Sequence, residues 1–278
     1  MGADEETVRV ALKRAVNSGM ILGWRLVINP SLLGRRLAGM QLDVEFEPDQ
    51  KGKTISLIKL VDGVILILDF HGRGIRVVIY YENDKTLARK IELIRSLAGY
   101  RKEIPYWETK LPKCTMKLKE IDWKILELVR KEPRRDVLEI SSLVETSTRT
   151  ITRRLKLMNE SKVAYLIPIR NVRKSEGLLC SFLIFCEDDR KNLIQELLVS
   201  RNLSVDFGYT SATNLFLLTL VVDNLVEAEE LLDWIRKLDG VRNVKMELLK
   251  DFIFVDEWLD ETIDSFLMNP ISGARASS

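Results

Sequence analysis

The chain has 278 residues, of which 46% are hydrophobic and 30% charged, the composition of a folded globular protein with room for two or three domains. No stretch approaches eighteen consecutive apolar residues, which removes a membrane-spanning helix. The acidic opening Met1-Gly2-Ala3-Asp4-Glu5-Glu6 lacks the basic and apolar regions of a signal peptide, so a cytoplasmic protein without membrane partners is expected.

The net charge of +2 is unevenly spread. Residues 1–109 carry 17 Lys and Arg against 14 Asp and Glu, net +3; residues 110–174 carry 17 against 8, net +9; residues 175–278 carry 9 against 19, net −10. A polyanion would therefore meet the middle of the chain. Cys114, Cys180 and Cys186 form no CxxC pair, and Cys180 and Cys186 sit in an apolar run as small core residues. The one histidine is His71. No metal-ligand spacing, no Gly-rich phosphate loop between a strand and a helix, and no nucleophile beside a base is found, so neither a metal nor a cofactor is expected.

In chain order, residues 7–16 carry Val8, Leu12 and Ala15 at helical spacing. That apolar face is expected to be covered by another surface of the protein. Period-2 alternation at Leu42, Val44 and Phe46 marks a strand over 37–47, followed by a helix over 53–60. Strands over 64–70 and 75–81 and a helix over 85–97, with Leu87, Ile91, Ile94 and Leu97 on one face, complete this part. Residues 100–110 contain Pro105 and little alternation; with Pro112 they read as a linker.

The basic middle holds three helices. Ile121, Ile125 and Leu128 face inward on the first, which ends before Pro133; the second covers 137–144; the third covers 148–160, capped by Ser147. Ile151, Leu155 and Met158 share one face of the third helix, and Arg149, Arg153 and Lys156 share the opposite one. A recognition helix needs this division, an apolar back and a front of long donors that reach base edges and phosphates in the major groove. Thr150 and Thr152 flank the stripe and are expected to add phosphate contacts. Arg154 points nearer the packed side, where it serves structure or touches a phosphate. Beyond it come a strand over 178–186, a helix over 190–200, strands over 204–209 and 215–222, a helix over 226–238, a strand over 243–249, a helix over 256–267 and a tail expected to be disordered.

The chain also repeats itself at a shift of 143 residues. Thr7-Val8-Arg9-Val10-Ala11-Leu12-Lys13 aligns with Thr150-Ile151-Thr152-Arg153-Arg154-Leu155-Lys156, and Gly34 then falls on Gly177. Each match is followed by strand–helix–strand–strand–helix–strand, the ferredoxin-like order. The fold class expected is α+β, two ferredoxin-like βαββαβ domains flanking a winged helix-turn-helix. The division expected is 1–34, a remnant of a helix-turn-helix; 35–110, a ferredoxin-like domain and linker; 111–172, the winged helix-turn-helix; 173–255, a ferredoxin-like domain; and 256–278, a helix and tail.

Glu120-Ile121-Asp122-Trp123-Lys124-Ile125-Leu126, followed by Ser147 and Thr150-Ile151-Thr152-Arg153-Arg154-Leu155-Lys156, resembles the DNA-binding domain of the Lrp/AsnC (leucine-responsive, feast/famine) regulators. Gly19-Met20-Ile21-Leu22-Gly23-Trp24 and Ile28-Asn29-Pro30-Ser31-Leu32-Leu33-Gly34 carry the resemblance into the first copy. It implies a transcriptional regulator on double-stranded DNA, a homodimer or higher homo-oligomer, with Arg149, Thr150, Thr152, Arg153, Arg154 and Lys156 at the DNA. It also implies a small effector such as an amino acid near the turn between the second and third ferredoxin strands. The matching stretches are His71-Gly72-Arg73-Gly74 and Ser211-Ala212-Thr213-Asn214. Both depart from the family's Gly-x-x-Asp, which leaves the usual ligand unassigned. The first copy departs further, because Glu6 and Val10 stand where Arg149 and Arg153 stand in the second; its helix reads as a packing element. Two alternatives follow: a partner or effector-sensing subunit that binds no DNA, and an enzyme similar to the siroheme decarboxylases, which rely on histidine and arginine in the pocket.

Overall fold

The structure, a computed structural model, describes residues 4–268 apart from 48, 103, 110, 115, 175–176, 202 and 204–214. The first half of the chain forms α1 (Glu5–Asn17), β1 (Ile21–Ile28), β2 (Arg36–Asp43), α2 (Gln50–Ile58), β3 (Val64–Phe70), β4 (Gly74–Tyr81), α3 (Asp84–Leu97) and β5 (Tyr106–Thr109). The second half forms α4 (Glu120–Lys131), α5 (Val137–Leu143), α6 (Thr148–Glu160), β6 (Ala164–Arg170), β7 (Leu178–Cys186), α7 (Lys191–Ser200), β8 (Leu215–Val222), α8 (Leu225–Arg236), β9 (Val241–Phe254) and α9 (Glu257–Met268). The chain is α+β, with antiparallel sheets and a winged helix-turn-helix. The expected strand over 204–209 and the tail beyond 268 lie outside the described residues. No helix among the described residues is long and apolar enough to cross a membrane.

The elements group into two units, one built from residues 1–35, 112–174 and 256–278, the other from residues 36–111 and 175–255. In the first, the repeat is visible in three dimensions. α1 and α6 begin and end 143 residues apart, and each is capped alike: Asp4 accepts from the Thr7 amide and Ser147 from the Thr150 amide. The strands that follow, β1 and β6, pair antiparallel with each other, Leu26 opposite Leu166 and Ile28 opposite Ala164. Asn29 closes this ribbon. Fully buried, it donates to the carbonyls of Pro112 (2.7 Å) and Lys162 (2.9 Å) and accepts from the amide and hydroxyl of Ser31, so the amide is satisfied on both sides. The core joins Leu26 and Ile28 to Trp123, Ile125, Ile140, Ile151 and Ile263. α9 contributes Ile263 and Phe266, whose ring stacks on Trp123 at 4.3 Å, and its Asp260 pairs with Arg130. Among the described residues the expected cover for α1 is partial. Val8 is 45% exposed and Leu12 and Ala15 are only half-buried.

The second unit is a sheet of order β5-β2-β4-β3-β9-β7-β8. The order β5-β2-β4-β3 is that of a ferredoxin-like domain, strands 4-1-3-2, with α2 and α3 packed on it through Ile55, Ile58, Leu87 and Ile94. β9-β7-β8 repeats the order, covered by α7 and α8 through Ile194, Leu198, Leu231 and Ile235. Cys180 and Cys186 lie buried on β7, and burial pushes the Cys180 thiol up to about 11. Residues 100–110, expected as a linker, supply the fourth strand instead. β5 pairs with β2, and Trp107 is buried against Gly39, where a Cβ would come within 2.5 Å of the indole. β9 is twice the length expected because its two halves pair with different strands, Val241 to Leu248 with β7 and Leu249 to Phe254 with β3.

Side chains on distant strands of this order touch, so the two halves of the sheet lie face to face. Neighbouring strands are roughly 4.8 Å apart, yet Arg76 of β4 donates to Ser181 of β7 at 2.8 Å, and Gln41 of β2 to Glu247 of β9 at 3.0 Å. Arg76 also donates to Gln41 (2.9 Å) and to Glu247 (3.4 Å), and lies over the Phe70 ring. Trp107, Leu183 and Leu215 fill the apolar remainder of the layer. Burial lowers the Arg76 guanidinium to about 10 against the opposing pull of Glu247, so it stays charged at neutral pH. Glu247→Leu, which leaves that cation buried without its carboxylate, should cost roughly 3–5 kcal/mol of stability, read as a fall in the urea midpoint; Arg76→Met added to it should recover most of the loss.

Candidate nucleic-acid interface

The interface starts from α4. Its first turn is closed by Asp122, which accepts from the Lys119 amide at 2.7 Å. The same carboxylate, fully buried, receives a two-pronged contact from Arg154 of α6, with Nε at 2.5 Å from Oδ1 and Nη2 on Oδ2. A planar guanidinium against a carboxylate fixes both distance and rotation. α6 is thus held at one angle on α4. Ile151 and Met158, both buried, and half-buried Leu155 pack the rest of this face.

α5 meets α6 through a tight turn. Asp136 caps α5 by accepting from the Leu138 amide, and Ile140 enters the core. At the turn Glu145 adopts φ 54, the Thr146 amide donates to the Ser141 carbonyl, and Ser147 opens α6. A left-handed glutamate is unfavourable alone and is held by the helices on either side.

The expected site residues divide into two groups. Arg149, Thr152, Arg153 and Lys156 are all exposed and lie along the outer face of α6. Among the described residues Arg149 and Arg153 have no ion-pair partner, and Lys156 has only Glu160 at 3.9 Å, both ends open to solvent. Thr150 is half-buried, and its hydroxyl is 3.0 Å from Ser147 Oγ, so it belongs to the cap and not to an outer surface. Thr152 turns its hydroxyl back to the Thr148 carbonyl at 2.9 Å. Arg154 is withdrawn from the expected DNA contacts: 8% exposed, it gives its Nε and Nη2 donors to Asp122, the structural one of the two roles expected for it. The signal in the sequence was the 100° step that places Arg154 among Ile151, Leu155 and Met158. Sequence reasoning missed Asp122, whose role emerges only when α4 and α6 meet.

Basic residues continue beyond the helix at Lys162, Arg170, Arg173 and Lys174, all exposed on or next to β6. They surround the half-exposed ribbon formed with β1, the wing of this domain. The other expected site is less complete. His71 and Gly72 sit on the exposed turn between β3 and β4, with Lys51 donating to the Gly72 carbonyl at 2.9 Å. Ser211, Ala212, Thr213 and Asn214 lie outside the described residues. Among the described residues no cluster of three or more His, Cys, Asp or Glu could hold a metal.

Neighbouring arginines on α6 should therefore respond differently to truncation. Arg154→Ala should lower stability by roughly 3 kcal/mol or more, because Asp122 is left buried and unpaired. Arg153→Ala should stay within about 0.5 kcal/mol of the wild type. Chemical denaturation of the two variants checks this.

A family model described as winged helix-turn-helix DNA-binding matches residues 118–163, which span α4, α5 and α6. No curated protein matches the chain by sequence. Among solved structures, the fold is similar to that of the siroheme decarboxylase NirDL, at 12% identity and a TM-score of 0.56 over 98% of this chain and 91% of that one. The same protein in co-complex with an iron-uroporphyrin III analogue aligns at 14% identity and TM-score 0.56 over 97% and 90%. An AsnC family transcriptional regulator from Agrobacterium tumefaciens aligns with 47% of this chain and 89% of its own, at 17% identity and TM-score 0.37. The chain is therefore an α+β protein with the fold of NirDL, and its residues 118–163 are a winged helix-turn-helix DNA-binding domain.

Proposed function

We propose that the chain is a sequence-specific, double-stranded DNA-binding regulator of Lrp/AsnC type, with α6 as the helix that enters the major groove. The observation that carries this reading is the division of cations on α6. Arg154 is buried on Asp122, whereas Arg149, Arg153 and Lys156 stand exposed on the outer face, Arg149 and Arg153 without an acidic partner among the described residues. Arg149 and Arg153 lie in the N-terminal half of the helix, the part that reaches base edges, and each guanidinium can pair with a guanine O6 and N7. Lys156 lies a turn further on and meets phosphate. One such helix per chain covers one half-site, so two chains related by a two-fold axis belong to the reading, their helices ~34 Å apart on the duplex.

The likeness to NirDL extends along nearly the whole chain but concerns the fold, and a fold does not carry a reaction. A decarboxylase of that kind would be expected to use a histidine inside a pocket. The single histidine here, His71, is on an exposed turn. The DNA reading is favoured for that reason.

Fluorescence anisotropy on genomic fragments over a range of salt tests the reading. Arg149→Ala or Arg153→Ala should cost ~1–3 kcal/mol on the preferred site and relax sequence preference, while Lys156→Ala should weaken all sequences alike and lower the salt slope by about one. Wild-type protein that shows no salt-dependent binding would end the proposal.

A further inference from the structure

The ribbon of β1 and β6 is cationic along its own sequence. Residues 13–28 and 161–174, which form the ribbon and its ends, contain seven Lys and Arg and no Asp or Glu. Because the strands are antiparallel, α6 joins the ribbon at one end, beside Lys162, and α1 joins it at the other, beside Arg170. The two junctions are built alike. The amides of Ser18 and Ser161 donate to the carbonyls of Arg14 and Leu157, each at 2.9 Å. One residue on, Gly19 and Lys162 both take a positive φ, 72 and 55.

At the end away from α6 the two copies of the repeat come together. The Asn171 amide donates to the Met20 carbonyl at 2.8 Å. The Lys174 ammonium lies over the turn between α1 and β1, 2.9 Å from where a Cβ on Gly19 would stand. Arg170, Arg173 and Lys174 are exposed there, and so are Lys13 and Arg14, which lie within ~10 Å of Gly19 along α1. None of these cations has an acidic partner among the described residues. The acids of α1 stand at its start, where Glu6 is already answered by Arg9 at 2.8 Å.

We propose that this end of the ribbon is a second, sequence-independent contact to the duplex, in which both copies grip phosphates while α6 reads bases. Cations gathered without acids repel one another, and a polyanion relieves all of them at once. Lys13 stands at the repeat position of Lys156, the cation assigned to phosphate, whereas Glu6 and Val10 stand where α6 has its two arginines. α1 thus keeps the backbone contact and lacks the base contacts. β6 runs from the end of α6 to Arg170 in about 20 Å, so the grip falls roughly six base pairs from the bases that α6 meets. This contact rests on the DNA-binding reading and adds a second point of attachment to it.

Anisotropy of the full chain over a range of salt tests it, on the preferred genomic fragment and on an unrelated duplex of equal length. Arg170→Ala, Arg173→Ala and Lys174→Ala combined should weaken both duplexes alike, roughly tenfold or more, and lower the salt slope by about three. Lys13→Ala should lower it by about one more, with the preference between the duplexes unchanged. Lys53→Ala, exposed on α2 in the other unit, controls for the loss of a charge and should leave the slope as it is. Urea denaturation confirms that these surface variants fold. A triple variant that keeps the wild-type slope, or a Lys53→Ala that lowers it as much per charge, overturns the contact. If the triple variant binds as the wild type does while Arg153→Ala relaxes preference, the contact falls and the regulator reading stands. If the triple variant loses affinity for every duplex while Arg149→Ala and Arg153→Ala alter no preference, the contact stands and the sequence-specific reading falls. Wild-type protein that binds neither duplex overturns both.

Discussion

The guanidinium of Arg76, buried between two sheets, constrains the larger unit more than any other group. A cation in an apolar layer is tolerated only when its hydrogen-bonding positions and charge are answered. Here the answers come from four strands: Gln41 on β2, Ser181 on β7, Glu247 on β9 and the Phe70 ring on β3. None of these partners can move a residue along its strand without leaving the cation exposed to a low dielectric, so the network fixes the register of one ferredoxin-like copy against the other. Apolar packing of Trp107, Leu183 and Leu215 supplies area to the same layer, but area alone would permit sliding.

The same logic, on a smaller scale, organises the DNA-binding domain. Asp122 performs two tasks with one carboxylate, closing the first turn of α4 and anchoring Arg154 of α6. Because the ion pair is two-pronged, it orients α6 as well as attaching it. Arg153 and Arg154 are adjacent in sequence and point about 100° apart on the helix. One is consumed in building the domain and the other is left at its surface, a difference in role that no difference in residue chemistry explains.

The duplication sets the same element in two different surroundings. α1 and α6 share length, N-cap geometry and the strand that follows, yet Glu6 and Val10 stand where α6 has its two arginines, and Val8 on α1 is exposed where Ile151 on α6 is buried. β1 found a new use as the partner of β6, and Asn29 ties the ribbon to both Pro112 and Lys162. The first copy thus supports the second one's wing.

Local periodicity determined a large share of this protein. The bounds of α6 at 148 and 160, of β7 at 178 and 186 and of β8 at 215 and 222 were all legible, because each of these segments buries one face and its pattern repeats within the segment. The internal repeat and the order of elements gave the fold class for the same reason. Tertiary structure alone decided the rest. β5 looked like a linker because its one anchor, Trp107, depends on the absence of a side chain at Gly39 on a strand far away in sequence. β9 looked half its length because its two halves obey two different sheets. Arg154 was legible as lying nearer the packed side, but only Asp122, from another helix, decided between its structural role and a phosphate contact. In each case the deciding partner is remote along the chain, and a sequence pattern records the spacing of neighbours, not the meeting of distant residues.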